Sequence, residues 1–187
     1  MIEHYGTHTI ETSRLILRKF KEGDYENVFD NYASDNEVTK FLTWPTHKDR
    51  NVSKTLVSSW AKSYREVSFY QWAIVLRDNM EVIGSISVVG IDEAHDQFEV
   101  GYCLSRQMWN KGIMTEALKA VIDYLFKNTN VNKIFAMHHL DNIASGKVLL
   151  KNNMTYEGTI KDCVFDREHK LTTCKQYSIT RKEYEKI

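Results

Sequence analysis

In the stretch QMWNKGIMTEA, Gln107 to Ala117, a lone glycine sits between a lysine and an unbroken run with helical spacing. A turn feeding a helix there would leave the first backbone N–H groups unpaired, with the positive end of the helix dipole behind them. Such an end attracts phosphate. Gly112 would let the backbone approach an anion with no side chain in the way, Asn110 tolerates the left-handed conformation that otherwise requires glycine, and Lys111 adds a positive charge. The same residues also suit a plain turn before an amphipathic helix, so the surrounding sequence must decide between the two readings.

Other reactive residue types are less well placed. His138 and His139 are adjacent, and on a strand they face opposite ways, so at most one could join a site. His4 and His8 could share a helical face as metal ligands, but Gly6 between them and a frayed terminus favour a floppy leader over residues 1–11, and no metal is expected. Cys103, Cys163 and Cys174, the three cysteines, are widely spaced, unlike a disulfide framework or a paired-cysteine zinc site, and suit a reducing cytoplasm. Trp44, Trp60, Trp72 and Trp109 read as core rather than as a stacking surface, because a nucleic-acid platform brings a basic groove with it.

The elements that must position these residues alternate along the chain. RLILRKF, Arg14 to Phe20, reads as a strand, and GDYENVFDNYA after it as a helix capped by Asp24. Val52, Leu56, Trp60 and Tyr64 recur every four positions and mark one face of a second helix from Asn51 to Tyr64. FYQWAIVLR and EVIGSISVVGI are strands joined by the turn Asp78-Asn79-Met80, and QFEVGYCL is a third strand. Ile113, Met114, Ala117, Leu118, Val121, Ile122, Leu125 and Phe126 keep a strict three-then-four spacing, the clearest helix in the chain. NKIFAMHHL reads as a strand, NIASGKVLLKNN as a helix, and Glu157 to Thr180 as a strand pair around DREHK. The expected class is α+β with a mainly antiparallel sheet.

At 187 residues, with a single proline at Pro45 and no linker or repeat, the chain reads as one domain spanning 1–187. Acidic and basic residues number 25 each, so no bulk field advertises nucleic acid or an anionic membrane. No signal-like start or spanning run is present, and the expected setting is soluble and cytoplasmic.

The run FEVGYCLSRQMWNKGIMTEALKAVIDYLF resembles the coenzyme-A-binding core of the GCN5-related N-acetyltransferases, particularly the branch that acetylates ribosomal-protein N-termini (RimJ/RimL-like). Gln107, Lys111 and Gly112 fall on that family's Gln/Arg-x-x-Gly-x-Gly/Ala signature, with Asn110 where its first glycine usually stands. The TEAL continuation, Thr115 to Leu118, looks like the same branch. A second block, NIASGKVLLKNNMTYEG, is similar to the family's N-x-x-S-x-x-x-x-x-K-x-G-[FM]-x-x-E-G. Asn142, Ser145, Lys151, Met154, Glu157 and Gly158 are in place, and Asn153 replaces a glycine. With TSRLILRKF and its following helix, the likeness covers about residues 12–180.

This resemblance implies a mainly antiparallel mixed central sheet flanked by about four helices, with splayed strands holding acetyl-CoA. It puts Tyr102, Cys103 and Leu104 beside the pantetheine arm, and Gln107, Asn110, Lys111, Gly112, Ile113, Met114 and Thr115 around the pyrophosphate. Asn142 either caps its helix or reaches the pantetheine amides. Moving an acetyl group to an amine through a tetrahedral intermediate requires a neutral amine, oxyanion stabilisation and a proton for the departing thiolate. Glu99, on the strand the resemblance puts beside the pantetheine, is the expected base, with Asp162 and Asp166 in reserve; the alternative for Glu99 is a solvated charge on an edge strand. The position of the family's usual acidic tyrosine is Leu149 here, and Ser145 matches the serine that serves the RimL-like branch, or else merely packs its helix.

Backbone N–H groups from Glu99 to Leu104 would receive the oxyanion. The implied partners are acetyl-CoA and a primary amine, first a protein N-terminal α-amine, which asks less of a base than lysine does. A polyamine, amino acid or aminoglycoside-type amine is the alternative acceptor, and a catalytically idle acyl-CoA sensor the alternative function. No nucleic acid or membrane partner is expected, and relatives often pair as homodimers.

Overall fold

The computed structural model describes residues 1–187. Eight strands form one sheet: β1 Ile10–Glu11, β2 Leu15–Arg18, β3 Gln71–Leu76, β4 Val82–Asp92, β5 Gln97–Leu104, β6 Lys133–His139, β7 Thr155–Phe165 and β8 Leu171–Thr180, in the order β1-β2-β3-β4-β5-β6-β8-β7. Every neighbouring pair is antiparallel except β5 with β6. Six α-helical segments flank it: α1 Tyr25–Val28, α2 Asn36–Thr39, α3 Arg50–Ser63, α4 Ile113–Asn128, α5 Ile143–Lys151 and α6 Arg181–Tyr184. Three of these span only four residues, so the count of about four holds for the substantial helical regions.

The period-two alternation of β5 splits its side chains between two cores. Phe98, Val100 and Leu104 join the larger cluster, 26 residues under α4 and α5. Cys103 packs against the smaller cluster of nine, under α1 to α3. The apolar stripe of α4 is fully used, since all eight residues of the three-then-four pattern are buried. No helix is long and apolar enough to cross a membrane.

Three expectations change. The first eleven residues dock instead of fraying. Ile2 and Thr7 are buried, His4 bridges Tyr70 and Glu93, Tyr124 donates to Gly6 O at 2.6 Å and Trp72 Nε1 donates to His8 O. His4 and His8 are therefore engaged separately, and no cluster of three metal-ligating side chains exists. The segment after β2 is not one helix capped by Asp24. It runs through a 3₁₀ turn, α1 and a π turn, and Asp24 instead accepts the Lys21 N–H and grips Arg18 with both oxygens at 2.7 and 3.0 Å. Finally, the every-fourth-residue stripe of α3 is only partly its core face: Trp60 and Tyr64 pack against the smaller cluster, but the buried residues are Ser53 and Val57, and Val52 is 43% exposed. Propensity and spacing identify a helix, but the tertiary partner decides which face is covered.

Candidate active site

The turn before α4 adopts the conformations its residues permit. Asn110 and Gly112 both lie in the left-handed region, at φ 59° and 74°, and Gly112 is the N-cap of α4. The first backbone bond of the helix runs from Glu116 N–H to Gly112 O, leaving the N–H groups of Ile113, Met114 and Thr115 without a backbone acceptor. Free N–H groups at the positive end of a 16-residue helix, with Lys111 exposed beside them, fit a pyrophosphate. Ile113 and Met114 themselves point into the core, so only their backbone can serve an anion.

A clasp that sequence reasoning missed holds this turn. Arg14 donates to Lys111 O at 2.8 Å and to Glu116 at 2.7 Å, while Glu116 also accepts from Thr12, Ser13 and the Arg14 N–H. These bonds hold the Glu116 carboxyl below its ordinary range against a burial effect that pushes it up. The signal was present in sequence as Glu116 in the first turn and the TSR triplet, but nothing local connects residues about 100 apart.

Beyond the turn the sheet opens. β5 and β6 pair at Gln97 with Lys133, Phe98 with Ile134 and Glu99 with Phe135, and at no later position. From Val100 to Leu104 the edge of β5 facing β6 is therefore free, the splay that the resemblance implies. On the α5 side of this gap Tyr102 Oη lies 2.9 Å from Ser145 Oγ, and burial raises the phenol's pKa above its ordinary value, keeping it protonated. Leu149 is fully buried in the larger core; the phenol near the gap comes from β5 instead. Asn142 caps α5 by accepting the Ser145 N–H. Cys103 turns away to Ser85 at 3.3 Å, and Leu104 is buried, so these two offer the gap backbone groups.

His138 and His139 face opposite ways, as alternation requires, yet both border the same cavity, because it passes through the splay. His138 stacks on Tyr177, donates Nδ1–H to His139 O and leaves Nε2 buried without a partner. Burial lowers its pKa. His139 stacks on Phe41 across the cavity, ring centres 5.1 Å apart.

Glu99 occupies the opposite face of the gap. It is partly buried, and burial alone pushes its carboxyl pKa upward, which makes it a stronger base than an exposed carboxylate. A β-bulge in β4 at Val89 lies opposite it, and a side chain at Gly90 would come within 3.0 Å of its Oε2. The cavity on this face measures about 960 Å³. Trp44, Leu56 and Trp60 form one wall and Phe165 and Asp166 another. Trp44 and Trp60 pack on the smaller core and also face the cavity; Trp72 is core, and Trp109 is 41% exposed with its Nε1 on Leu104 O. Of the reserve carboxylates, Asp166 lines the cavity, whereas Asp162 is exposed and lies outside it. Gln107 lies exposed in the short 3₁₀ turn that leads to Lys111.

The arrangement can bind a thioester of an extended, amide-bearing arm along the free strand edge, with an amine entering from the Glu99 face. The chain also resembles known proteins. Residues 14–155 match the family described as Acetyltransferase (GNAT) domain. The uncharacterized N-acetyltransferase YoaA of Bacillus subtilis is 30% identical over 156 residues, covering 83% of this chain and 88% of that one. The [ribosomal protein uS5]-alanine N-acetyltransferase of Escherichia coli is 27% identical over 176 residues, covering 87% and 88%. A GNAT-family acetyltransferase crystal structure from Bacillus anthracis superposes with a TM-score of 0.81 at 25% identity, covering 94% of this chain and 100% of that one. The α4 turn, the splayed strands and these likenesses together make the chain a member of the GCN5-related N-acetyltransferase (GNAT) family, enzymes that take their acetyl group from acetyl-CoA.

Proposed function

We propose that this acetyltransferase moves the acetyl group directly onto a primary amine, with Glu99 as base and the Ser145–Tyr102 pair as the proton source for the departing thiolate. The observation that carries the reading is the opposition of these groups across the splay. Glu99 projects from one face of β5 and Tyr102 from the other, with Tyr102 Oη 2.9 Å from Ser145 Oγ. The Ile113, Met114 and Thr115 N–H groups hold the pyrophosphate, with Lys111 beside them and Gln107 and Asn110 shaping the approach. Glu99 takes the amine proton; the free N–H groups of β5 receive charge on the carbonyl oxygen; Ser145 passes a proton to sulfur and is resupplied by Tyr102.

The leading acceptor is a polypeptide α-amine. Its pKa near 8 asks less of a carboxylate than a lysine near 10.4, and the Escherichia coli relative acts on the alanine of ribosomal protein uS5 by its name. A small-molecule amine is the second reading, favoured by the Phe41–His139 stack, which joins two lining residues across the cavity.

Release of CoA thiol from acetyl-CoA, followed with an amine panel, tests the proposal. Glu99→Gln, Ser145→Ala and Tyr102→Phe should each lower turnover while acetyl-CoA affinity stays within a few fold. Full activity in Glu99→Gln would remove it as base, and full activity in both hydroxyl variants would remove the proton relay. Tight acetyl-CoA binding with no turnover of any amine would leave an acyl-CoA sensor.

A further inference from the structure

The acceptor cavity has a one-sided charge. Its carboxylates are Asp49, Glu99 and Asp166, and no lysine or arginine lines it. Asp166 stays ionised, because the N–H groups of Glu168 and Lys170 bond its Oδ1 and, with Lys170, hold its pKa down. Asp49 accepts the Asn51 N–H at the start of α3.

Two of the cavity's three histidines do not offset this charge. His47 Nδ1 pairs with Ser53 Oγ at 2.7 Å in a buried setting, and burial lowers its pKa. His138 is held with one proton, on Nδ1. His139 Nδ1 accepts the Asp141 N–H. The neighbouring cations are held by other groups: Arg50 by both oxygens of Asp30, Arg167 by the α2 region and Lys170 by Glu168, while Lys40 lies over the Phe41 ring. Half of the lining is apolar, with Trp44, Leu56, Trp60 and Phe165 foremost, and most of the remainder is neutral hydroxyl and amide side chains.

Resting on the acetyltransferase reading above, we propose that the acceptor is an amine cation borne on an apolar or aromatic body, and that this cavity rejects acceptors carrying an anionic group near the amine. Free amino acids, peptides that begin with an acidic residue, and phosphorylated amines all fall in the rejected class. An ammonium group is drawn in by the carboxylates and by the faces of the tryptophans before Glu99 takes its proton. A carboxylate beside that amine meets like charge, with no lysine or arginine in the lining to receive it. Even at about 8 Å and an effective dielectric of about 20, one such pair lowers affinity by a factor of about 30. The rejection is a repulsive selection, complementary to the attraction of the apolar walls.

The test measures binding and turnover separately. Calorimetry on the CoA-loaded chain compares phenethylamine, phenylalaninamide, phenylalanine and the peptide Phe-Ala-Ala-amide; thiol release from acetyl-CoA then follows the same four. Phenethylamine and phenylalaninamide should bind at least about 30-fold more tightly than phenylalanine, and Asp166→Asn and Asp166→Lys should narrow that gap in that order. The peptide amide binding as well as phenylalaninamide identifies a polypeptide end as the source of the amine, and binding far more weakly identifies a free amine. Phenylalanine binding within about 3-fold of its amide would overturn the proposal whatever the turnover. The predicted ranking in binding with no thiol release would keep the charge selection and overturn the acetyltransferase reading; equal thiol release from phenylalanine and its amide would do the reverse.

Discussion

Gly146→Ala separates packing from chemistry in α5. A methyl group at position 146 would lie 2.8 Å from His138 Nε2, 3.2 Å from His138 Cε1 and 3.5 Å from Tyr177 Oη. The closest approach is about 0.6 Å short of the 3.4 Å at which ordinary contact begins. His138 has little freedom to retreat, because it is 6% exposed, stacked on Tyr177 and bonded through Nδ1 to His139 O at 2.8 Å. The helix must move instead.

In isolation the change favours the helix, since alanine exceeds glycine by about 1 kcal/mol in a helix interior. Overpacking opposes it by about 1–3 kcal/mol, so the net effect is a loss of about 0–2 kcal/mol in urea unfolding. The functional effect should be larger. Ser145 is the next residue, and a shift of about 0.6 Å away from β5 would take its 2.9 Å contact with Tyr102 to the limit of hydrogen bonding. Misplacement on this scale lowers kcat by about 10-fold, toward 100-fold if the bond is lost. In a His138→Ala background the obstacle is gone, so Gly146→Ala should become stabilising by about 1 kcal/mol. A Gly146→Ala variant that is more stable than the parent, with unchanged kcat, would refute this packing of α5 on β6.

Three other perturbations have defined outcomes. Glu99→Gln should lower kcat/KM by about 10²–10⁴ while raising stability at alkaline pH. Burial raises the folded-state pKa of Glu99, so its stabilising contribution is full below the unfolded-state pKa and lost as pH rises through the folded one; urea melts at pH 4 and pH 8 should therefore show the advantage of Gln only at pH 8. Gly112→Ala places a side chain at φ 74° and should cost about 1–2 kcal/mol in urea unfolding, with weaker acetyl-CoA binding by calorimetry. Glu116→Gln loosens the Arg14 clasp, and should raise the acetyl-CoA Kd several fold while leaving the pH dependence of turnover in place.

Much of the site was legible because its signals are local. The left-handed tolerance of Asn110, Gly112 and Asn153 is a property of single residues, and all three have positive φ, with Asn153 at 58°. β5 was read to both ends, Gln97 to Leu104, because alternation and flanking turns bound it. What escaped depended on distant partners. Tyr102 of β5 meets Ser145 of α5 across 43 residues, a pairing that nothing local to either residue announces. The stripe of α3 divides between two destinations, Trp60 and Tyr64 on the smaller core and Val52 and Leu56 on the cavity, because apolar spacing reads the same for either. The leader looked unstructured because its anchors, Tyr70, Glu93 and Tyr124, lie at least 65 residues away.

The short β5–β6 pairing has a mechanical consequence. Seven strand junctions make the sheet, and this one has three paired residues, against seven between β6 and β8. The sheet behaves as two ribbons, β1 to β5 and β6 to β8, sewn at one end and held elsewhere by the helices. Fluctuations that part them need break few ladder bonds, so amide hydrogens near the seam should exchange in smaller opening events than those in the middle of either ribbon. An acyl-CoA arm lying along both free edges would stitch the ribbons together, merging two cooperative units into one. The cellular lifetime of the chain against proteolysis would then follow its supply of acyl-CoA.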